Sequence, residues 1–320
     1  MLKKRLVDKV ERIGLAIQYK LLQSQKRFVP ENALVVAGDP RGGSTWLAEL
    51  INEIPRTAML WEPLAINNVR QFESLGFGWR QYIPEDEEWH EAKIQFELLF
   101  SGGMLSNYLC LRTSPEQLNN ASHLLVKFCR ANQLLPWLTK QFDFRYSPVY
   151  LVRHPCSVVA SQMKKGGWDN VPAYFEIPAV PFGSFYSDHE DFLNTINTVE
   201  MRLAAWWCLC NCAPLQHQGN NRKWITLTYE QLLLDGRKQL NRIQNRWGLE
   251  LPDSAFQRLN TASKTTIAGS PIQDGKIMQQ LKYWQTQLNT KQIDDVLSVL
   301  DYFGVTLYDS DVLPTISFEH

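Results

Sequence analysis

The sequence predicts an α/β protein: a three-layer sandwich in which a central parallel sheet is flanked by helices. Three observations favour this fold class. Short unbroken apolar runs alternate with segments of helical periodicity, as expected for parallel strands covered on both faces. The first apolar run leads directly into a glycine-rich turn. The 320 residues are also 44% hydrophobic, which is enough to bury a substantial core.

Residues 1–28 predict a basic amphipathic helix. They carry eight Lys and Arg against two Asp and Glu, a net charge of +6. Apolar residues recur every three or four positions, which predicts one stripe along a helix; these are Leu6, Val10, Ile13, Ile17 and Leu21. Three interpretations stay open: packing on the domain surface, peripheral contact with an anionic membrane surface, and helix-mediated dimerisation.

Residues 29–310 are interpreted as one domain, followed by a C-terminal tail at 311–320. Apolar runs predict buried strands at 33–37 and 149–152, and further strands are predicted at 123–127 and 224–229. Helical patterns follow them at 45–54, at 131–142 with a break at Pro136, at 155–165 with proline in the first turn, and at 230–247. A further amphipathic helix is predicted at 290–303.

Three other segments have distinct compositions. Residues 70–92 and 166–190 are rich in glycine, proline and aromatic residues without periodicity, which is typical of lids and substrate loops. The Trp- and Cys-rich segment 206–212 predicts a buried helix face.

Composition excludes several classes of protein. The formal net charge is zero and the pI is about 7.0, which argues against a nucleic-acid partner. No apolar run is long enough for a membrane span, and no secretory core follows the basic start. The six cysteines form no CxxC pair, so we expect no metal site, and reduced thiols are consistent with a cytoplasmic location.

The turn at 38–44 predicts an anion site. A strand, a glycine-rich turn and a helix N-terminus bring backbone amides and the helix dipole together, and both favour phosphate. A Walker-type P-loop requires lysine after its second glycine, where this chain has Ser44, and the cation of the loop is Arg41. This P-loop therefore suits a phosphate group but is a poor fit to a nucleoside triphosphatase.

Two further polar groups are predicted at the ends of strands. Arg153 follows the strand at 149–152, and Ser161 lies about two helical turns later; together they suit a second phosphate. Glu62 follows a short apolar run and is placed to act as general base toward a hydroxyl. The alternatives are ordinary ion pairs for Arg153 and for Glu62.

Together these residues resemble the sulfotransferase family, and most closely its carbohydrate (Golgi-type) members. Residues 40–46 are similar to the loop that binds a 5′-phosphosulfate, and Arg153 and Ser161 match the 3′-phosphate motif in type and spacing. Three weaker likenesses are to a Tyr-Glu-Pro triplet, a Lys-x-x-Arg segment and a Tyr-Glu-Asp-Leu strand end. They are carried by Trp61-Glu62-Pro63, by 127–130 and by 228–232, respectively.

The resemblance implies a sulfotransferase-like fold and transfer of a sulfuryl group from 3′-phosphoadenosine 5′-phosphosulfate (PAPS) to a hydroxyl, leaving PAP and requiring no metal. It implies that Glu62 is the general base and that Arg41 stabilises the leaving phosphate. The implied donor-binding residues are Arg41, Gly42, Gly43, Ser44, Thr45, Trp46, Arg153, Ser161 and Tyr229. Arginine in place of the loop lysine of cytosolic members favours a sugar or polysaccharide acceptor.

Several alternatives remain. Cytosolic members use a histidine base, for which His123 is a weaker candidate than Glu62. The late Arg-Lys-Gly motif of those members is absent, and Lys264 or Lys276 are candidates to replace it. The competing functions are a P-loop kinase or hydrolase, and a non-catalytic nucleotide-binding scaffold on the same fold.

Overall fold

The computed structural model describes residues 2–25, 27–164, 171–261 and 276–318, with side chains from residue 9 onward. At its centre is a five-stranded sheet with the strand order β2-β3-β1-β4-β5, and every pair of neighbouring strands is parallel. The strands are β1 (Leu34–Gly38), β2 (Thr57–Trp61), β3 (His123–Lys127), β4 (Val149–Val152) and β5 (Ile225–Thr228).

Helices connect the strands. In the described part of the chain they are α1 (Leu2–Gln23), α2 (Ser44–Ile51), α3 (Arg70–Glu73), α4 (His90–Phe100), α5 (Pro115–Asn120), α6 (Leu135–Gln141), α7 (Pro155–Met163), α8 (Ser184–Ser187), α9 (Glu190–Leu193), α10 (Val199–Gln216), α11 (Tyr229–Leu234), α12 (Gly236–Trp247), α13 (Asp253–Arg258), α14 (Ile277–Lys282) and α15 (Thr290–Tyr302).

The sheet separates two hydrophobic cores, as the predicted three-layer sandwich requires. Successive residues of a strand face opposite sides of a sheet. Accordingly, Leu34 and Val36 belong to the core under α7, α10 and α15, whereas Val35 belongs to the core under α4 and α6. Burial on both faces explains why the strands are continuous apolar runs in the sequence.

Most predicted elements are confirmed, with shifted ends. The strands at 123–127 and 149–152 have the predicted bounds. The predicted helix at 230–247 is two helices, α11 and α12, that meet at Asp235. The segment predicted as a helix at 131–142 is divided next to Pro136, as predicted: a 3-10 helix, Asn132–Leu134, is followed by α6. Pro136 lies in the first turn of α6, where its missing amide hydrogen has no helical acceptor to lose.

Helix α1 lies on the domain, but not through its predicted apolar stripe. Tyr19 is 4% exposed and Leu22 packs on the core, while Ile13 and Ile17 are 53% and 55% exposed. None of the described helices is both long enough and apolar enough to cross a bilayer.

The Cys-rich segment lies in α10, as predicted. Cys208, Cys210 and Cys212 are buried and unpaired, and the described residues contain no group of His, Cys, Asp and Glu that would suit a metal ion. Val312, in the segment interpreted as a tail, is buried in the core.

Candidate functional site

The candidate site lies at the carboxyl edge of the sheet. All five strands are parallel, so their last residues meet at one edge, where α/β proteins bind ligands. The glycine-rich loop follows β1, Glu62 follows β2, Cys129 follows β3, Arg153 follows β4 and Tyr229 follows β5. Segments far apart in the chain therefore converge on one cleft.

The loop between β1 and α2 is a tight cradle. The amide of Gly42 donates to the carbonyl of Asp39 at 2.9 Å. Gly43 has φ +93°, and a Cβ there would lie 2.5 Å from the ring of Tyr229. In the described part of the chain, the amides of Gly43, Ser44 and Thr45 have no backbone acceptor, which leaves them free at the N-terminus of α2.

Arg41 lies within this loop and Arg153 lies beside it, so the two predicted phosphate motifs meet there. Arg41 Nε donates to Ser161 Oγ at 3.0 Å, and Arg153 Nη1 donates to the carbonyl of Arg41 at 3.1 Å. Burial and the neighbouring charge of Arg153 lower the pKa of Arg41. Neither side chain has a carboxylate within ion-pair distance among the described residues. The buried Nε of Arg153 has no hydrogen-bond partner, so the pair suits an anionic ligand.

Tyr229 links Arg153 to the loop. The guanidinium of Arg153 lies 4.3 Å from the centre of the Tyr229 ring, and the edge of that ring meets Trp46 at 5.9 Å between centroids. Trp46 is 3% exposed, so it lies below the loop in the core. Gln280 donates to the Tyr229 hydroxyl at 3.3 Å.

The two lysines considered as replacements for the late Arg-Lys-Gly motif are not both described. Lys276 is exposed one turn before Gln280, and Lys264 lies outside the described residues.

His154 fixes the turn that carries Arg153. Its Nδ1 accepts from the amide of Cys156 at 3.2 Å, which caps α7, and its backbone amide donates to Glu230 Oε1 at 3.0 Å. The ring stacks on Trp284 at 4.8 Å between centroids. Burial lowers the pKa of His154 to about 4, so the imidazole is neutral at physiological pH.

Glu62 belongs to a buried polar cluster beside the loop. Lys127 Nζ lies 2.6 Å from Glu62 Oε1 and 2.7 Å from Cys129 Sγ, and the Cys129 thiol donates to Glu62 Oε1 at 2.9 Å. Arg130 Nη1 is 3.7 Å from Glu62 Oε2. Cys129 Sγ is also 3.8 Å from Ser44 Oγ. The cluster therefore connects Glu62 to the loop.

Glu62 is ionised in this environment. Burial raises its pKa, but the charge of Lys127 and the hydrogen bonds from Cys129 and Lys127 outweigh burial and leave the pKa below its ordinary value. The Glu62 side chain is 19% exposed, so this carboxylate can accept a proton from a hydroxyl held beside it.

His123 is not part of this site. It begins β3 and pairs in register with Thr57, the first residue of β2, so it lies at the amino edge of the sheet. The expectation that His123 competes for the role of base is therefore wrong, because parallel strands place it at the opposite edge from the loop.

Sequence reasoning missed several cationic and aromatic contacts around the cleft. Arg130 lies over Trp79 at 4.5 Å and Arg80 over Trp206 at 4.7 Å. Lys127 and Arg112 both lie over the Trp61 ring, at 4.4 and 4.8 Å from its centre. Trp79 is 39% exposed. The aromatic composition of 70–92 was the available signal.

A second network missed from sequence lies beneath the loop. Asn211 donates to Asp39 and accepts from the hydroxyl of Tyr150. Burial raises the pKa of Asp39 to about 6, against the lowering effect of the Asn211 hydrogen bond and the charges of Arg80 and Arg130. These contacts tie the first residue after β1 to α10.

Comparison with known proteins supports the resemblance seen in the motifs. A family model described as "Sulfotransferase domain" matches residues 31–295. No curated protein sequence matches this chain.

Three solved structures are similar to this chain. A sulfotransferase domain from the Synechococcus PCC 7002 olefin synthase is 15% identical, covers 87% of this chain and 95% of its own, and has a TM-score of 0.44. Mouse sulfotransferase SULT7A1 complexed with PAP is 14% identical, covers 92% and 90%, and has a TM-score of 0.45. A sulfotransferase domain from the curacin biosynthetic pathway is 13% identical, covers 87% and 98%, and has a TM-score of 0.46.

Proposed function

Because this chain belongs to the sulfotransferase domain family, we propose that it transfers a sulfuryl group from PAPS to a hydroxyl of a sugar or polysaccharide. The observation that supports this proposal best is the interlocked pair of Arg41 and Arg153, which flank free loop amides with no carboxylate to neutralise them in the described part of the chain.

PAPS carries phosphate at two positions, and the site offers two groups of donors: the loop with Arg41, and Arg153 with Ser161. The amides at the start of α2 and the guanidinium of Arg41 would hold the 5′-phosphosulfate. Arg153, whose Nε lacks a partner, and Ser161 would hold the 3′-phosphate. Tyr229 supports Arg153 through its ring. Trp46, which was expected to border the adenine, is 3% exposed and lies too deep in the core for that role.

Glu62 would act as general base. The acceptor hydroxyl gives its proton to the Glu62 carboxylate as its oxygen bonds to sulfur. The bond between sulfur and the bridging oxygen of the donor breaks, and PAP leaves with the negative charge. By analogy with phosphoryl transfer, positioning and charge stabilisation lower the barrier. Arg41 and the loop amides supply that stabilisation, and Lys127 holds Glu62 in place at 2.6 Å.

A sugar acceptor is supported by the aromatic wall of the cleft. Trp79 is partly exposed and lies against Arg130, which is itself within 3.7 Å of Glu62. An exposed indole offers a flat apolar face to a pyranose ring, and the neighbouring guanidinium offers donors to its hydroxyls. We therefore place the acceptor between Trp79 and Glu62.

The test of the base is Glu62→Gln. We expect at least a hundredfold loss of kcat with labelled PAPS and a panel of oligosaccharides, because general bases contribute about 10²–10⁴-fold. The affinity for PAP measured by calorimetry should stay within about twofold, because Glu62 is not placed on the donor. Glu73→Gln, at an exposed position, is the matched control. Turnover by Glu62→Gln at the control's rate would refute the assignment of the base.

The test of the donor is Arg153→Ala. We expect at least a tenfold loss of PAP affinity, equal to about 1.4 kcal/mol, because a partly buried guanidinium is removed from an anion. Thermal shift of the unaltered protein should respond to PAP and not to ATP if the chain is not a kinase or hydrolase. A larger stabilisation by ATP would favour that competing class.

A further inference from the structure

Helix α1 presents an apolar ridge to solvent. Four aliphatic side chains, each three or four residues from the next, are more than half exposed: Val10 at 63%, Ile13 at 53%, Ile17 at 55% and Leu21 at 64%. At about 100° per residue they span only about 80° of the helix circumference. They therefore form one continuous strip, which we call the outer ridge.

The opposite face of α1 holds the helix to the domain. The Tyr19 hydroxyl donates to the carbonyl of Thr113 at 2.8 Å, and Asn107 Nδ2 donates to the carbonyl of Arg12 at 2.9 Å. Tyr19 is 4% exposed and lies about 160° around the helix from Ile17. The outward direction of the ridge is thus fixed by contacts on the other side.

The charge of α1 indicates what covers the ridge. Lys9 and Lys20 are exposed on the same helix, within about 40° of Ile13 around its circumference, and residues 1–28 carry a net charge of +6. An apolar strip beside basic residues is the composition of helices that lie in a membrane interface, and anionic lipid attracts each such cation. A second copy of the chain would instead bring two sets of like charges together.

We infer that α1 docks the protein on an anionic lipid surface, with the outer ridge inserted between headgroups and the basic side chains on their phosphates. The helix lies along the surface and does not cross it. The inference rests on the residues of α1 alone and does not depend on the proposed acceptor or donor.

The test is flotation of the full chain with vesicles of phosphatidylcholine alone and of phosphatidylcholine mixed with phosphatidylglycerol. We expect at least tenfold tighter binding to the mixed vesicles. The ridge variant I13Q/I17Q should lose at least tenfold of that binding. The matched control I94Q/I316Q removes two isoleucines of similar exposure, 46% and 51%, and should bind like the unaltered protein.

A second variant, K9Q/K20Q, tests the charges. It should weaken binding to the mixed vesicles by about fivefold per lysine removed, with no effect on phosphatidylcholine. All variants change exposed side chains, and unaltered thermal unfolding and PAP affinity would show that each is folded.

Three results would overturn the inference. The first is absence of binding to the mixed vesicles, and the second is an equal loss in the ridge and control variants. The third is a dimer, found by sedimentation without lipid, that dissociates in I13Q/I17Q, because the ridge would then be covered by a second copy of the chain.

Discussion

Replacing Gly43 by alanine should damage the glycine-rich loop after β1 in two separable ways. The backbone has φ +93° at this position, in the left-handed region that costs an ordinary residue about 1–2 kcal/mol. The new Cβ would also lie 2.5 Å from Cδ2 and 2.7 Å from Cε2 of Tyr229. Tyr229 would have to move by roughly 1 Å, and such overpacking costs about 1–3 kcal/mol. We therefore expect Gly43→Ala to lose about 2–5 kcal/mol of unfolding free energy.

The same displacement should weaken donor binding. The ring of Tyr229 supports the guanidinium of Arg153 at 4.3 Å, and a contact of this kind contributes about 0.5–2 kcal/mol. If it is lost, PAP affinity should fall by about tenfold. Urea unfolding measures the first effect, and calorimetric titration with PAP measures the second.

Two other glycines serve as controls. Gly248 has φ +59°, and a Cβ at this position would have nothing within 4 Å, so Gly248→Ala isolates the backbone cost. Gly14 is helical with open space around it, so Gly14→Ala should be neutral or slightly stabilising. If Gly43→Ala is no more destabilising than Gly248→Ala, or if Tyr229→Leu fails to relieve the difference, the steric reasoning is wrong.

Two further predictions concern the turn after β4 and the acceptor wall. His154 has a folded-state pKa of about 4, below its ordinary 6.5. As pH falls from 6.5 to 4, its imidazole therefore takes up a proton in the unfolded chain but not in the folded one. The stability contributed by His154 is complete above 6.5 and lost toward 4, at up to about 1.4 kcal/mol per pH unit. His154→Asn keeps a helix cap but removes the titrating group. In urea unfolding, the free energy of unfolding of this variant should therefore depend less on pH between 4 and 6.5. An unchanged dependence would contradict the lowered pKa of His154. Trp79→Ala should raise the acceptor KM by about tenfold while leaving PAP affinity unchanged; an effect on PAP alone would place Trp79 on the donor side.

The strands were predictable because burial on both faces makes them mostly apolar. Helix ends were not, because they depend on contacts the pattern does not contain. Thr228 ends β5 as predicted within one residue, but its hydroxyl also accepts from the amide of Gln231 and starts α11. The face by which α1 packs was missed for the same reason: Tyr19, outside the aliphatic stripe, finds its partner at Thr113.

One part of the candidate site could be predicted from the sequence, and another part could not. The loop and the Arg153–Ser161 spacing are local, so the sequence predicted them. The contacts of Glu62 depend on register: Trp61 pairs with Lys127 across β2 and β3, which brings the residues after both strands together. No spacing between Glu62 and Cys129 in the chain indicates that contact, because it exists only once two strands have paired.

Arg41 and Glu62 have unfavourable backbone conformations that the surrounding fold must stabilise. Both are in the left-handed region, with φ of 70° and 42°, a conformation that costs a non-glycine residue about 1–3 kcal/mol and persists only where the surroundings over-determine it. Those surroundings are visible for Glu62, whose amide donates to the carbonyl of Lys127 at 2.8 Å while its carboxylate binds the same lysine. For Arg41, the carbonyl accepts from Arg153 and the side chain donates to Ser161. The two side chains proposed to act on the reacting groups are thus held from both backbone and side chain before any ligand arrives, so ligand binding need not order them.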